Sequence, residues 1–279
     1  MIEHVVISSG GPHGFVQLGM LLEAVHAGIL DIQNIKTVHG CSSGSIMGTL
    51  LCLKIPVQDI IDYFITRKWE KCIQYDIHQF TEKKGIVDTQ FIAEIVIPFF
   101  KAYDVPLTIT MEEFYQRTKV DFDIITTEAM EMKSVTLNHS TFPDLPVLTA
   151  IQMSSAIPVM FYPILYNNTY YIDGVCRKHC PFVDYPEDTV CIFMIDSSCN
   201  TTLNLEDVSE YFQHLLLTSY RILTASEDIP KGRRFLCSKI PSVMSADLWK
   251  NIIQNESYRR EMIEVGRSVV RDTLSEPVE

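Results

Sequence analysis

The sequence lacks an apolar run long enough to cross a bilayer. About 18 consecutive apolar residues are needed, and the longest run, residues 92–100, is interrupted by Glu94 and Pro98. An N-terminal signal peptide is not recognisable either, because residues 1–9 form a short strand-like run without a charged segment followed by an apolar core. We therefore expect a cytoplasmic protein, and peripheral association with a membrane is left open.

Positive charge is scarce as well. The chain has 23 Lys and Arg against 35 Asp and Glu, which gives a net charge of −12. This balance argues against nucleic acid as a partner, because phosphate backbones are bound by clustered cations. The eight cysteines are scattered, so the sequence predicts free thiols in a reducing compartment and no disulfide framework.

What the sequence does contain is an alternation of β-branched runs and helical patterns. Strands are predicted at 4–9, 35–39, 121–127, 135–138, 170–172, 189–196 and 235–240. Helices are predicted at 15–27, 43–53, 56–67, 88–102, 146–154, 205–225 and 246–274, with a short one capped by a Thr110–Glu113 box. Such alternation predicts an α/β fold, a three-layer sandwich with a mainly parallel central sheet.

A glycine-flanked serine follows the second predicted strand. Residues 40–44 (GCSSG) form a G-x-S-x-G pattern with Ser42 at its centre and Gly40 and Gly44 at its ends. A serine on a tight strand-to-helix turn is held in a strained, accessible position, and the helix that follows directs unpaired N–H groups toward it. The pattern indicates a nucleophile, although a small-residue turn without chemistry has the same composition.

Two further turns carry residues suited to the same chemistry. A glycine loop, residues 10–14 (GGPHG), follows the first strand, and Asp173-Gly174 follows a strand far downstream. The strand, loop and helix could bind a dinucleotide, but the loop does not fit G-x-G-x-x-G and the next strand does not end in an acidic residue. Asp173 could equally be an ordinary turn aspartate before glycine.

Together these motifs resemble the patatin-like phospholipase family. Residues 9–14 (SGGPHG) are similar to its glycine motif G-G-G-x-[RK]-G, the G-x-S-x-G pattern is complete, and residues 173–175 (DGV) are similar to D-G-[GA]. Residues 85–90 (GIVDTQ) and 152–163 (QMSSAIPVMFYP) are similar to two more family segments. The motifs occur in the family's order between residue 4 and about residue 196.

The resemblance implies a metal-independent serine hydrolase without a cofactor, acting on phospholipids or related lipid esters at a membrane or micelle surface. It implies that Ser42 is the nucleophile and Asp173 the general base of a Ser–Asp dyad, supported by Gly40, Gly44 and Gly174. It assigns the oxyanion loop to residues 10–14: Gly10, Gly11, Pro12, His13 and Gly14. Residues 1–200 are then the catalytic core, and 201–279 are a helical and strand extension packed on the same domain.

Several alternatives stay open. Ser9, His13 and Val175 depart from the family motifs, which leaves room for a catalytically weak protein that binds lipid or a partner on the same scaffold. A Ser–His–Asp triad would need a histidine after Asp173, and the candidates are His179 and His214. A zinc site at Cys176, His179 and Cys180 is disfavoured, because no second ligand pair accompanies it.

Overall fold

The structure is a computed structural model that describes residues 2–74, 76, 78, 80–178, 188–194, 211, 233–237 and 246–275. Its strands are β1 (His4–Ile7), β2 (Thr37–Cys41), β3 (Gly85–Val87), β4 (Asp121–Glu128), β5 (Lys133–Leu137), β6 (Val159–Phe161), β7 (Ile164–Tyr166), β8 (Thr169–Asp173), β9 (Thr189–Met194) and β10 (Arg233–Cys237).

The helices are α1 (Gly14–His26), α2 (Ser43–Cys52), α3 (Val57–Thr66), α4 (Phe80–Lys83), α5 (Gln90–Ala102), α6 (Met111–Thr118), α7 (Val147–Ser155), α8 (Ala246–Gln254) and α9 (Glu256–Ser275). Short 3-10 turns occur at Gly11–His13, Trp69–Lys71 and Gly174–Cys176. None of the described helices has both the length and the apolar character that a membrane span requires.

The main sheet has the order β10-β9-β1-β2-β4-β8-β7, and β5 also pairs with β4. Strands β10, β9, β1, β2 and β4 are parallel, whereas β5, β7 and β8 run antiparallel to their neighbours. The predicted α/β fold with a mainly parallel sheet is therefore confirmed. A separate parallel pair, β3 with β6, was not predicted.

The central strands form the core because they are apolar on both faces. Val5, Val6 and Ile7 of β1 are all fully buried, as are Val190 and Ile192 of β9. Strands covered by helices on both sides have continuous apolar runs of this kind. The β-branched runs that marked these segments in the sequence are thus the residues that pack the middle of the sheet.

Strand β4 positions two other strands along one of its edges. Its first five residues pair with β2, and the last of these pairs is Ile125 with Cys41. Its next three residues pair with β8, beginning with Thr126 opposite Asp173. Adjacent residues of β4 therefore hold the end of β2 and the end of β8 side by side.

The C-terminal segment differs from the prediction in one respect. The single helix predicted at 246–274 is two helices, and the break lies at Asn255. The side-chain oxygen of Asn255 accepts the N–H of Tyr258 at 3.2 Å and so caps α9. The helix predicted at 205–225 lies outside the described residues except for Tyr211, which is helical.

Helix α9 packs tightly on α1. A Cβ at Gly19 would lie 2.0 Å from the Ile263 carbonyl oxygen, and a Cβ at Gly266 would lie 1.9 Å from the Val16 carbonyl oxygen. Neither position can therefore carry a side chain without moving the helices apart. Glu23 of α1 adds a carboxylate that pairs with two arginines of α9.

Candidate active site

Ser42 occupies a sharp turn between β2 and α2. Its backbone has φ 54° and ψ −122°, a conformation that residues with a side chain rarely adopt. Gly44 permits the turn, because a Cβ there would lie 2.3 Å from the carbonyl oxygen of Ile7. The turn places Ser42 directly before the first residue of α2, at the positive end of the helix dipole.

Asp173 lies beside Ser42 because of the pairing along β4. The Ser42 hydroxyl donates a hydrogen bond of 2.7 Å to Asp173 Oδ2. The other carboxylate oxygen, Oδ1, accepts the N–H of Val175 at 2.8 Å. Asp173 is completely buried and Ser42 is 3% exposed. The structure thus brings together the two residues that the motifs singled out, 131 positions apart in the chain.

The surroundings of Asp173 change its acidity. Burial raises the pKa of Asp173 from 3.8 to about 7, and the hydrogen bonds from Val175 and Ser42 oppose this increase without cancelling it. A carboxylate with a pKa near neutrality can accept a proton and return it at physiological pH. The pair therefore has the geometry and the basicity for nucleophilic catalysis.

Ser154 supports the serine turn from α7. Its hydroxyl accepts the Ser42 backbone N–H at 2.9 Å and donates to the Ile125 carbonyl oxygen at 2.6 Å. Ser154 thus links the serine turn to the β4 residue opposite Cys41. No role for Ser154 was predicted from the sequence, although it lies in the family-like segment 152–163.

The glycine loop lies against Ser43, the residue after Ser42, since a Cβ at Gly10 would come within 3.1 Å of the Ser43 hydroxyl. Residues Gly11–His13 form a 3-10 turn with Gly11 at φ 50°, and α1 begins at Gly14. The amide of His13 donates to the Gly10 carbonyl at 2.9 Å, and the His13 side chain is fully buried. Among the described residues, the Gly10 and Gly11 amides donate to no backbone carbonyl, and Pro12 has no N–H to donate.

Gln17 connects Ser8, just before this loop, to the serine turn. It is fully buried, and its Nε2 donates to the Ser8 carbonyl at 2.8 Å. Its Oε1 accepts the Ser43 hydroxyl at 2.9 Å. Gln17 was not predicted from the sequence, since a single glutamine within an apolar helical pattern carries no motif. A polar residue at a core position of α1 was the only signal.

An apolar cavity of about 110 Å³ adjoins Ser42. Its lining combines the loop, the serine turn, six helices, the Trp69 turn and β6. The residues are Gly11, Pro12, Gly14, Phe15, Ser42, Ser43, Ile46, Met47, Phe64, Trp69, Phe91, Ile92, Ile95, Ser155, Ile157, Phe161, Trp249, Ile252 and Ile253. The side chains are almost all hydrocarbon, so the cavity suits an alkyl chain better than a charged or sugar-like group.

The other candidate residues are placed as follows. His179, Cys180 and His214, on which the triad and zinc alternatives depend, lie outside the described residues. Cys176 is half-buried near Asp173, and burial raises the pKa of its thiol. Within the described part of the chain, one group with metal-ligand spacing occurs at Glu3, His4 and Asp188, but exposed acidic groups are common without an ion.

Comparisons with known proteins agree with the motifs found in the sequence. A sequence model of the family described as patatin-like phospholipase matches residues 5–184, more than half of the chain. A probable lipid hydrolase of Invertebrate iridescent virus 6 is 27% identical over 183 residues, which cover 63% of this chain and 61% of that protein. This chain therefore spans less than two thirds of that relative.

Two further similarities were found. An uncharacterized protein of Acanthamoeba polyphaga mimivirus is 22% identical over 232 residues, which cover 79% of this chain and 76% of that protein. Among solved structures, VipD from Legionella pneumophila is similar with a TM-score of 0.48 and 12% identity, covering 94% of this chain and 67% of that chain.

Proposed function

Since this chain belongs to the patatin-like phospholipase family, we propose that it hydrolyses carboxylic esters of lipids, with phospholipids as the substrate class. Ser42 is the nucleophile and Asp173 the general base. The observation that carries the proposal is the 2.7 Å hydrogen bond between Ser42 Oγ and Asp173 Oδ2 beside an apolar cavity. The reaction takes place where lipid is presented, at a membrane or micelle surface.

The first half of the reaction forms an acyl-enzyme. Ser42 Oγ attacks the ester carbonyl carbon while its proton moves to Asp173 Oδ2, along the hydrogen bond already formed. The carbonyl oxygen becomes an oxyanion, and the amides of Gly10 and Gly11 can donate to it. The tetrahedral intermediate then collapses, and Asp173 returns the proton to the departing alcohol oxygen.

The second half releases the fatty acid. A water molecule takes the place of the alcohol and attacks the acyl carbonyl, while Asp173 accepts the proton of the water. Collapse of this second intermediate restores the Ser42 hydroxyl and frees the carboxylic acid. Asp173 acts in both halves, and a pKa of about 7 lets it accept and release the proton without a large energetic cost in either direction.

The apolar cavity supports a lipid ester as the substrate class. Burying an alkyl chain contributes about 0.8 kcal/mol for each methylene group removed from water. The walls of the cavity are contributed by side chains such as Phe15, Phe64 and Phe91. These surfaces favour the acyl chain of a lipid ester over a small polar ester.

Labelling with a fluorophosphonate tests the proposal. We expect the reagent to modify Ser42 in the wild-type protein, not to react with Ser42→Ala, and to react slowly with Asp173→Asn. Ser140→Ala and Asp144→Asn are matched controls at exposed positions and should label like the wild type. Hydrolysis of a phosphatidylcholine micelle, followed by fatty-acid release, should depend on the same two residues.

The departures at Ser9, His13 and Val175 support a second candidate, a catalytically weak protein that binds lipid on the same scaffold. Ser9 is buried next to the glycine loop and His13 is buried within it, and the Val175 amide binds the proposed base. A folded protein that binds lipid micelles but neither labels nor hydrolyses would favour this candidate over the hydrolase.

A further inference from the structure

Helix α8 supplies one wall of the cavity beside Ser42. Trp249, Ile252 and Ile253 lie at positions i, i+3 and i+4, so they share one face of the helix, and all three line the cavity. The helix also packs against the 3-10 turns Gly11–His13 and Trp69–Lys71. A segment without any recognised motif is therefore in contact with the proposed oxyanion loop.

A buried arginine fixes α8 in this position. Arg259 of α9 is 4% exposed, and its Nη1 donates to the carbonyl oxygens of Ile252 and Ile253 at 2.8 and 3.3 Å. Its Nε and Nη2 donate to the carbonyl oxygen of Ile65 at 2.9 and 2.7 Å. One guanidinium thus ties the C-terminal end of α8 to that of α3, where the helix dipoles favour a cation.

Trp249 has a second unusual property. Its indole Nε1 is buried and has no hydrogen-bond partner among the described residues, and the same is true of the Ser155 hydroxyl. Both residues line the cavity. Buried donors are almost always paired in folded proteins, with protein groups or ordered water. Trp249 packs against the core and also lines the cavity, so its ring lies where an occupant of the cavity would meet it.

We propose that Trp249 is a specificity-determining residue, whose ring limits the length and bulk of the acyl chain that the cavity accepts. The ring belongs to the part of the lining that α8 contributes, and side chains of the N-terminal helices such as Phe15 and Met47 line the same cavity. The inference rests on the proposed function, because it concerns which lipid esters Ser42 hydrolyses.

The effect of Trp249 is measured directly as selectivity for acyl-chain length. The assay compares kcat/KM for the butyrate, octanoate and palmitate esters of the same umbelliferyl alcohol. In Trp249→Ala, we expect the ratio of palmitate to butyrate to rise about tenfold or more, because one methylene in an apolar pocket already changes selectivity by about that factor. Trp249→Phe keeps most of the ring and should keep a ratio close to the wild type.

Lys250→Ala is the matched control, since Lys250 is the exposed neighbour on the same helix. An unchanged ratio in Trp249→Ala, with Ser42 still labelled by a fluorophosphonate, overturns the inference. Absence of labelling and hydrolysis in the wild type overturns the proposed function instead. If Trp249→Ala does not fold, Ile253→Ala enlarges the cavity at the same wall. It must then shift the ratio of palmitate to butyrate in the same direction.

Discussion

The rate at which a fluorophosphonate labels Ser42 should follow the ionisation of Asp173. Burial raises the pKa of Asp173 to about 7, and only its ionised form can accept the Ser42 proton. A group with this pKa is about one tenth ionised at pH 6 and about nine tenths ionised at pH 8, so the labelling rate constant should rise about tenfold between them. A carboxylate that kept the ordinary value of 3.8 would be ionised at both, and the rate would not change.

The assay is time-dependent mass spectrometry of the intact protein between pH 5 and pH 9, in overlapping buffers of constant ionic strength. Asp173→Asn should label about 10²–10⁴-fold more slowly and lose the inflection near pH 7. Asp144→Asn, at an exposed position, should keep the wild-type profile. The reasoning is refuted by an inflection near pH 4 in the wild type, or by one near pH 7 that survives in Asp173→Asn.

Three further changes test the energetics. Because the pKa of Asp173 is raised in the folded state, its ionisation costs no stability below about pH 4 and its full cost is present above about pH 7. Asp173→Asn should therefore increase the free energy of unfolding by up to about 4 kcal/mol at pH 8 and change it little at pH 4, as measured by urea denaturation. Arg259→Met should lower the free energy of unfolding by about 3 kcal/mol or more, because it leaves buried carbonyl oxygens unpaired, and the exposed Arg260→Met is its control. Gly266→Ala should lower the melting temperature by several degrees, whereas the half-buried neighbour Ser268→Ala should change it by less; an unaltered melting temperature would contradict the close contact of α1 and α9.

Local signals in the sequence were sufficient for many elements. The Thr110–Glu113 capping box is present at the start of α6, with both of its hydrogen bonds formed. The strands predicted at 121–127 and 135–138 are β4 and β5, which pair in an antiparallel arrangement. These features depend on residues close in the chain, so the same local interactions determine both the sequence pattern and the structure.

Features that depend on distant residues were harder to predict. The hairpin of β7 and β8 was only half recognised, although Asn167 and Asn168, at φ 48° and 62°, are typical of its turn. Gln17 and Ser154 join segments that are remote in sequence, and the cavity wall formed by Trp249 requires knowing where α8 packs. Motifs suggested which residues carry the chemistry, but not which residues hold them in place.

The unusual backbone conformation of Ser42, at φ 54° and ψ −122°, affects how the protein responds to heating. Such a conformation persists only while its surroundings enforce it. Loosening around the turn would let Ser42 relax to a common conformation while the sheet is still intact. The reactivity of Ser42 should then disappear some degrees before circular dichroism registers melting. Loss of Ser42 reactivity on heating would therefore report loosening of the turn earlier than loss of secondary structure.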